Sequence, residues 1–142
     1  MAELHPIVVH LPLTLLMLWP VIDAFGLLLK RTDVSNVALA LLLLGLVGSL
    51  IATATGQAAF DAALAKGADP KVLNTHADNA NLVPWALLAL VAVRWVAVNK
   101  LKRKGHVAAI VLGLSMWPLV ITVGHTGGKL VFDHAIGVRA PR

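Results

Sequence analysis

The sequence predicts an all-α fold: an integral membrane four-helix bundle with both termini on the same, outer side. Hydrophobic residues make up 58% of the 142 and charged residues only 13%, well outside the usage of soluble domains. Mean hydropathy is +0.83. Four apolar stretches, at 6–29, 34–55, 82–98 and 106–124, reach or approach the about 20 residues that carry a helix across a hydrocarbon core of about 30 Å. Short polar links separate them, so residues 1–142 read as one transmembrane domain.

The first stretch opens at Pro6 with no basic leader before it, outruns the core of a signal peptide and has no small-residue cleavage site, so it is expected to stay as a span. The second carries Gly45, Gly48, Ser49, Ala52 and Gly56, small residues three or four apart that let helix backbones approach closely. Between spans two and three, residues 57–75 hold a helix stop at Lys66-Gly67. A fresh start follows at Asp69-Pro70, with Asp as N-cap and Pro at the first helical position. Span three is therefore expected to begin ahead of the membrane, with His76 on its first turns. The links between spans one and two (30–33) and between spans three and four (99–105) are short and polar.

Composition also excludes functions. There is no cysteine, which removes a disulfide framework, a thiolate-held iron–sulfur cluster and covalent c-type haem. The net charge of +5 does not point to nucleic acid, because the basic residues sit in loops between apolar runs. Lys30, Arg31, Lys100, Lys102, Arg103 and Lys104 fill the two short loops. Lys66, Lys71, Lys129, Arg139 and Arg142 are spread over the long link and the tail. Basic residues are retained on the cytoplasmic side, so the short loops are expected inside. The opposite face then lies in the periplasm of a bacterial inner membrane.

Threading the spans up and down brings His5, His10, His76, His125 and His134 to that outer face. His106, beside Lys102–Lys104, falls on the inner face, where a solvated or headgroup histidine is expected. Histidine within a span is a functional hypothesis by default, and five on one face favour a shared ligand site. His10 lies inside span one, where a neutral imidazole, the form that coordinates iron, copper or zinc, is expected. His5 and His10 are about 140° apart on a regular helix. They serve two sites, or one supports the other's ligand, unless Pro6 and Pro12 distort the path. Asp23 and Arg94 reach similar depth in spans that run the same way, which predicts a structural ion pair, with a proton relay as the lesser alternative. The four tryptophans are expected to pack or to sit at the interface.

Two motifs carry a resemblance: His5-Pro6-Ile7-Val8-Val9-His10-Leu11-Pro12, and Gly127-Gly128-Lys129-Leu130-Val131-Phe132-Asp133-His134 followed by Gly137-Val138. With Asp23, Gly56, His76 and Arg94 in order between them, the chain resembles the bacterial membrane-protein family catalogued as domain of unknown function 2231. The resemblance implies a four-helix membrane domain that in other proteins is sometimes joined to Rieske or cytochrome c modules. It places the family's recurring histidines on His5, His10, His76 and His134. His125 stands where another residue is expected and is a further possible ligand. Ala135 replaces a usual glycine, and the acidic residue after Gly56 is displaced to Asp61.

The function expected from these readings is a b-type cytochrome-like electron-transfer protein or subunit rather than a stand-alone enzyme; no nucleophile with a base and no phosphate-binding loop is present. One or two haem b groups would be held by His5, His10, His76 and His134 near the periplasmic face. A first guess pairs His10 with His76 and His5 with His134. Gly48, Ala52, Ala54, Gly56, Ala77 and Ala80 would give room. Asn79, Asn81, Lys129 or Arg139 would meet propionates. The alternative is a zinc or copper site on the same histidines, with Asp78 or Asp133 as ligands or acceptors, or a subunit without cofactor. Expected partners are the lipid bilayer and a periplasmic cytochrome c, a Rieske-type protein or a larger membrane complex.

Overall fold

Proline, glycine and the polar links divide the chain into helices, and a computed structural model describes residues 2–138. A 3-10 turn, Ala2–Leu4, leads into α1 (His5–Val8) and α2 (His10–Leu28). They are separated at Val9, where Pro12 has no N–H to return to Val8. The second span is one helix, α3 (Thr32–Ala65), and the third is α4 (Pro70–Leu101). The fourth is α5 (Arg103–Ser115) and α6 (Trp117–Phe132), interrupted at Met116 because Pro118 removes a donor in the same way. All four are long and apolar enough to cross a membrane, as Ala2–Leu28, Thr32–Ala65, Pro70–Leu101 and Arg103–Phe132.

α3 and α4 are longer than the apolar stretches they contain, and most of the link expected at 57–75 is helical. Chain reversal is confined to residues 66–69. There Gly67, at φ +85°, takes the left-handed position that glycine tolerates, and Ala68 N–H closes back on the Ala63 carbonyl at 3.1 Å. Asp69 then caps α4, its carboxylate accepting from Lys71 N–H at 2.8 Å. In the 30–33 link, Arg31 N–H returns to the Gly26 carbonyl at 2.9 Å. Arg31 Nε donates to Asp33 at 3.0 Å, and this hydrogen bond, with the neighbouring charge, raises the guanidinium above its ordinary value.

The core is a cluster of Leu16, Trp19, Leu42, Val83, Leu87, Leu90 and Val120, drawn from all four spans. The small residues of α3 do what close packing requires. A Cβ at Gly48 would lie 3.3 Å from Pro12, and one at Gly45 would lie 3.4 Å from Leu16. Large apolar side chains cover the outside, among them Ile7, Leu28, Leu44, Leu50 and Ile121, as a lipid-facing surface demands. Trp19 is in the core, whereas Trp85 and Trp95 are exposed. The Trp117 indole nitrogen is buried without a hydrogen-bond partner.

Gly26 sets the closest approach of α2 to α3, since a Cβ there would lie 2.8 Å from the backbone nitrogen of Ser35. Gly26→Ala is expected to force the two helices apart and to cost about 1–3 kcal/mol, the range for overpacking. Thermal unfolding in detergent followed by circular dichroism measures it.

The two hairpins have corresponding parts. Asp23 and Arg94 are 71 residues apart, and the same displacement relates His5 to His76, Ser35 to His106, and Thr55-Gly56 to Thr126-Gly127. It also carries the buried Leu16 and Trp19 of α2 onto the buried Leu87 and Leu90 of α4.

Candidate functional site

Two polar clusters occupy opposite ends of the bundle. The one at the basic-loop end draws a residue from each span. Arg94 Nε and Nη2 donate to the two Asp23 oxygens at 2.9 and 3.0 Å, and Nη2 also donates to the Ser35 carbonyl at 3.1 Å. Asp23, Arg94 and Ser35 are all buried. A buried charge is tolerated when it is paired and its remaining valences are met, and the bidentate fork with the extra carbonyl meets that condition.

A third partner was not foreseen. His106 Nε2 donates to Asp23 Oδ1 at 2.8 Å, and its side chain is only 14% exposed. The solvated histidine expected at this position is corrected accordingly. Its place beside Lys102–Lys104 suggests an interfacial residue, but α5 begins at Arg103, so His106 is already within the first turn and faces the bundle. Its correspondence with Ser35, whose carbonyl serves the same pair, is the sequence signal that could have located it.

The other end holds the histidines. His5 Nδ1 lies 3.2 Å from Thr55 Oγ1, and His76 Nδ1 lies 3.0 Å from Thr126 Oγ1. Each threonine hydroxyl carries one hydrogen, and both give it to their own helix: Thr55 to the Ile51 and Ala52 carbonyls, each at 3.0 Å, Thr126 to Thr122 and Val123 at 2.9 and 3.2 Å. The threonine oxygens therefore accept from the imidazoles. With the hydroxyl hydrogens assigned to the backbone in this way, Nδ1–H is the donor in each ring and Nε2 keeps its lone pair, the form a metal ligand needs.

Glycine permits this geometry. A Cβ at Gly56 would lie 2.9 Å from His5 Cε1, and one at Gly127 would lie 3.2 Å from His76 Cε1. Gly56→Val is expected to displace the His5 ring and break its bond to Thr55. The His5 Nδ1–H resonance in nitrogen-15 histidine spectra checks this, and a proton retained on Nδ1 in hydrogen-bonded form would contradict it.

α1 packs against α2 and α3, and α4 against α3, α5 and α6, with no contact between α1 and α4 themselves. Each ring is thus held within its own hairpin, His5 against α3 and His76 against α6. His10, His125 and His134 are exposed, and among the described residues no group of three or more His, Asp or Glu gathers as a metal cluster.

The remaining candidates are dispersed. Asn79 donates its amide to the Thr75 carbonyl at 2.7 Å. Asn81 lines an open groove of about 400 Å³ between α3 and α4, with Leu50, Thr53 and Trp85. Lys129 is exposed, as are Asp78 and Asp133, and Arg139 lies outside the described residues. Thr55 and Thr126 are the residues that sequence reasoning missed. Threonine in a spanning helix ordinarily satisfies itself on its own backbone, and only the repeated Thr-Gly pair marks these two.

No curated protein and no solved structure matches the chain. The family described as "Predicted membrane protein (DUF2231)" matches residues 2–140. Four apolar helices long enough to span a bilayer, and a family match that covers nearly the whole sequence, make this chain a multi-pass membrane protein belonging to the DUF2231 family.

Proposed function

We propose that the protein is a membrane-embedded b-type cytochrome-like electron-transfer protein or subunit, in which His5 and His76 would hold the haem. The observation that carries this reading is the donor set. Two imidazoles from different hairpins are each anchored through Nδ1, with Nε2 left to bind. Haem brings four ring nitrogens of its own and asks the protein for one or two axial ligands. A structural zinc site takes four protein ligands and a catalytic one three, which makes zinc or copper on these histidines the weaker alternative.

Bound haem would supply one-electron chemistry. The chain's own residues, Thr55 and Thr126, orient the two imidazoles and hold their tautomer. Gly56 and Gly127 let each ring pack directly against helix backbone, where a Cβ would collide with it or crowd it. The basic loops, with Lys30, Arg31 and Lys100–Lys104, favour an orientation in which they face the cytoplasm of a bacterial inner membrane and the histidine end faces the periplasm. A cytochrome c or Rieske-type protein reaching that face is the partner this orientation suits.

The test is a visible spectrum of protein purified from haem-sufficient cells. Sharp b-type bands on reduction are expected. A colourless protein with stoichiometric zinc or copper by elemental analysis would replace haem with the alternative.

A further inference from the structure

The two histidine units are copies of one arrangement. In each, a histidine precedes by 50 residues the threonine that accepts from its Nδ1. The next residue is the glycine against its ring, and the threonine hydroxyl is spent on carbonyls three and four residues back. The copies are displaced by the same 71 residues that separate Asp23 from Arg94.

A two-span unit returns the chain to the side from which it entered. The second copy therefore has the same orientation as the first, and the pseudo-two-fold axis runs along the membrane normal. Asp23 and Arg94 correspond in the two copies and hydrogen-bond to each other, so they meet near that axis, and at the other end His5 and His76 are corresponding positions related by it. Neither hairpin holds a complete site, since each supplies one ring, one threonine and one glycine.

We infer that the histidine end is a single symmetric site, with one haem per chain held between His5 and His76, and that Thr55 and Thr126 are its equivalent positioning residues. The inference rests on the haem reading above and sharpens it: one haem instead of two, and no ligand role for His10 or His134. The threonines act through the imidazoles. By accepting from Nδ1–H they stop the ring from turning and keep the proton off Nε2, so both nitrogens are ready for iron. Partners of this kind are worth roughly 10- to 100-fold in affinity when removed from other metal-binding histidines.

Threonine-to-valine replacements test it, because valine keeps the branched shape and removes only the oxygen. In nitrogen-15 histidine spectra of the haem-free protein, Thr55→Val is expected to abolish the hydrogen-bonded Nδ1–H signal of His5 and to leave that of His76. Thr126→Val should do the reverse, and serine at either position should restore the signal. In the haem-loaded protein, iron should stand at one per chain, and each valine variant should weaken haem retention by a similar factor of about 10 or more. Two haems per chain would overturn the inference. So would haem retained undiminished after Thr126→Val while Thr55→Val releases it. No haem in any preparation would sink the haem reading itself, whereas the other failures leave that reading standing.

Discussion

Arg94→Ala is expected to destabilise the bundle by about 3–5 kcal/mol, the range for removing one partner of a buried ion pair. Native stabilities are only about 5–15 kcal/mol, so little folded protein should survive extraction into detergent. The cost is large because Asp23 has no exposed surface and would keep only the hydrogen bond from His106. A lipid-embedded interior offers no water to replace the two lost donors. Asp23→Ala should be comparably damaging, for it strands a buried guanidinium.

The exchanged pair, Asp23→Arg with Arg94→Asp, is the informative control. The two positions correspond in the two hairpins, so the reversed pair should still meet on the axis and recover part of the loss. Recovery is expected to be partial, because the Ser35 carbonyl and the His106 imidazole are placed for the original polarity. The monodisperse fraction in size-exclusion chromatography after a heating series measures this. No recovery at all would contradict the correspondence of the hairpins.

The second large effect concerns colour and not stability. His5→Ala and His76→Ala are each expected to remove the b-type bands almost completely while the four helices remain folded. His10→Ala and His134→Ala should keep them, since those side chains are exposed. His106→Ala should do the opposite of the ligand variants: its loss leaves Asp23 short of one hydrogen bond, a cost of about 1–3 kcal/mol, and haem content per folded chain stays unchanged. Spectra normalised to helical content by circular dichroism separate the two classes. Bands that survive in His76→Ala and vanish in His10→Ala would exchange the assigned ligands.

These outcomes also mark how far the sequence could be read. Four spans are legible because apolar length is a direct consequence of bilayer thickness. The meeting of Asp23 and Arg94 is legible because depth can be counted along two helices that run the same way. His106 escapes such counting: a residue among lysines at a helix start can face water or the bundle, and only the rotation of α5 decides. The links around Lys66-Gly67 and Asp69-Pro70 are readable from turn chemistry, yet the reach of α3 to Ala65 is not, because its last ten residues are mixed in polarity and gain their helicity by continuing an existing helix.

The histidines at this end of the bundle are legible as candidates, but the sequence does not say which of them would act together. Spacing along one helix says nothing about which ring faces which across a gap between hairpins. The duplication that relates His5 to His76 is hard to see in the sequence, because leucine, valine and alanine interchange freely on lipid-facing and core positions. The buried pair on the axis is of opposite charge in the two copies and so conceals the correspondence. What remains visible is sparse: His5 with His76, and Thr55-Gly56 with Thr126-Gly127.

The most direct measurement of the central claim is the reduced-minus-oxidised visible spectrum of the purified full-length protein, taken with haem and protein quantified on the same sample. The account predicts b-type bands at one haem per chain, lost in both His5→Ala and His76→Ala. A protein that is folded, helical and colourless when prepared from haem-sufficient cells would contradict it.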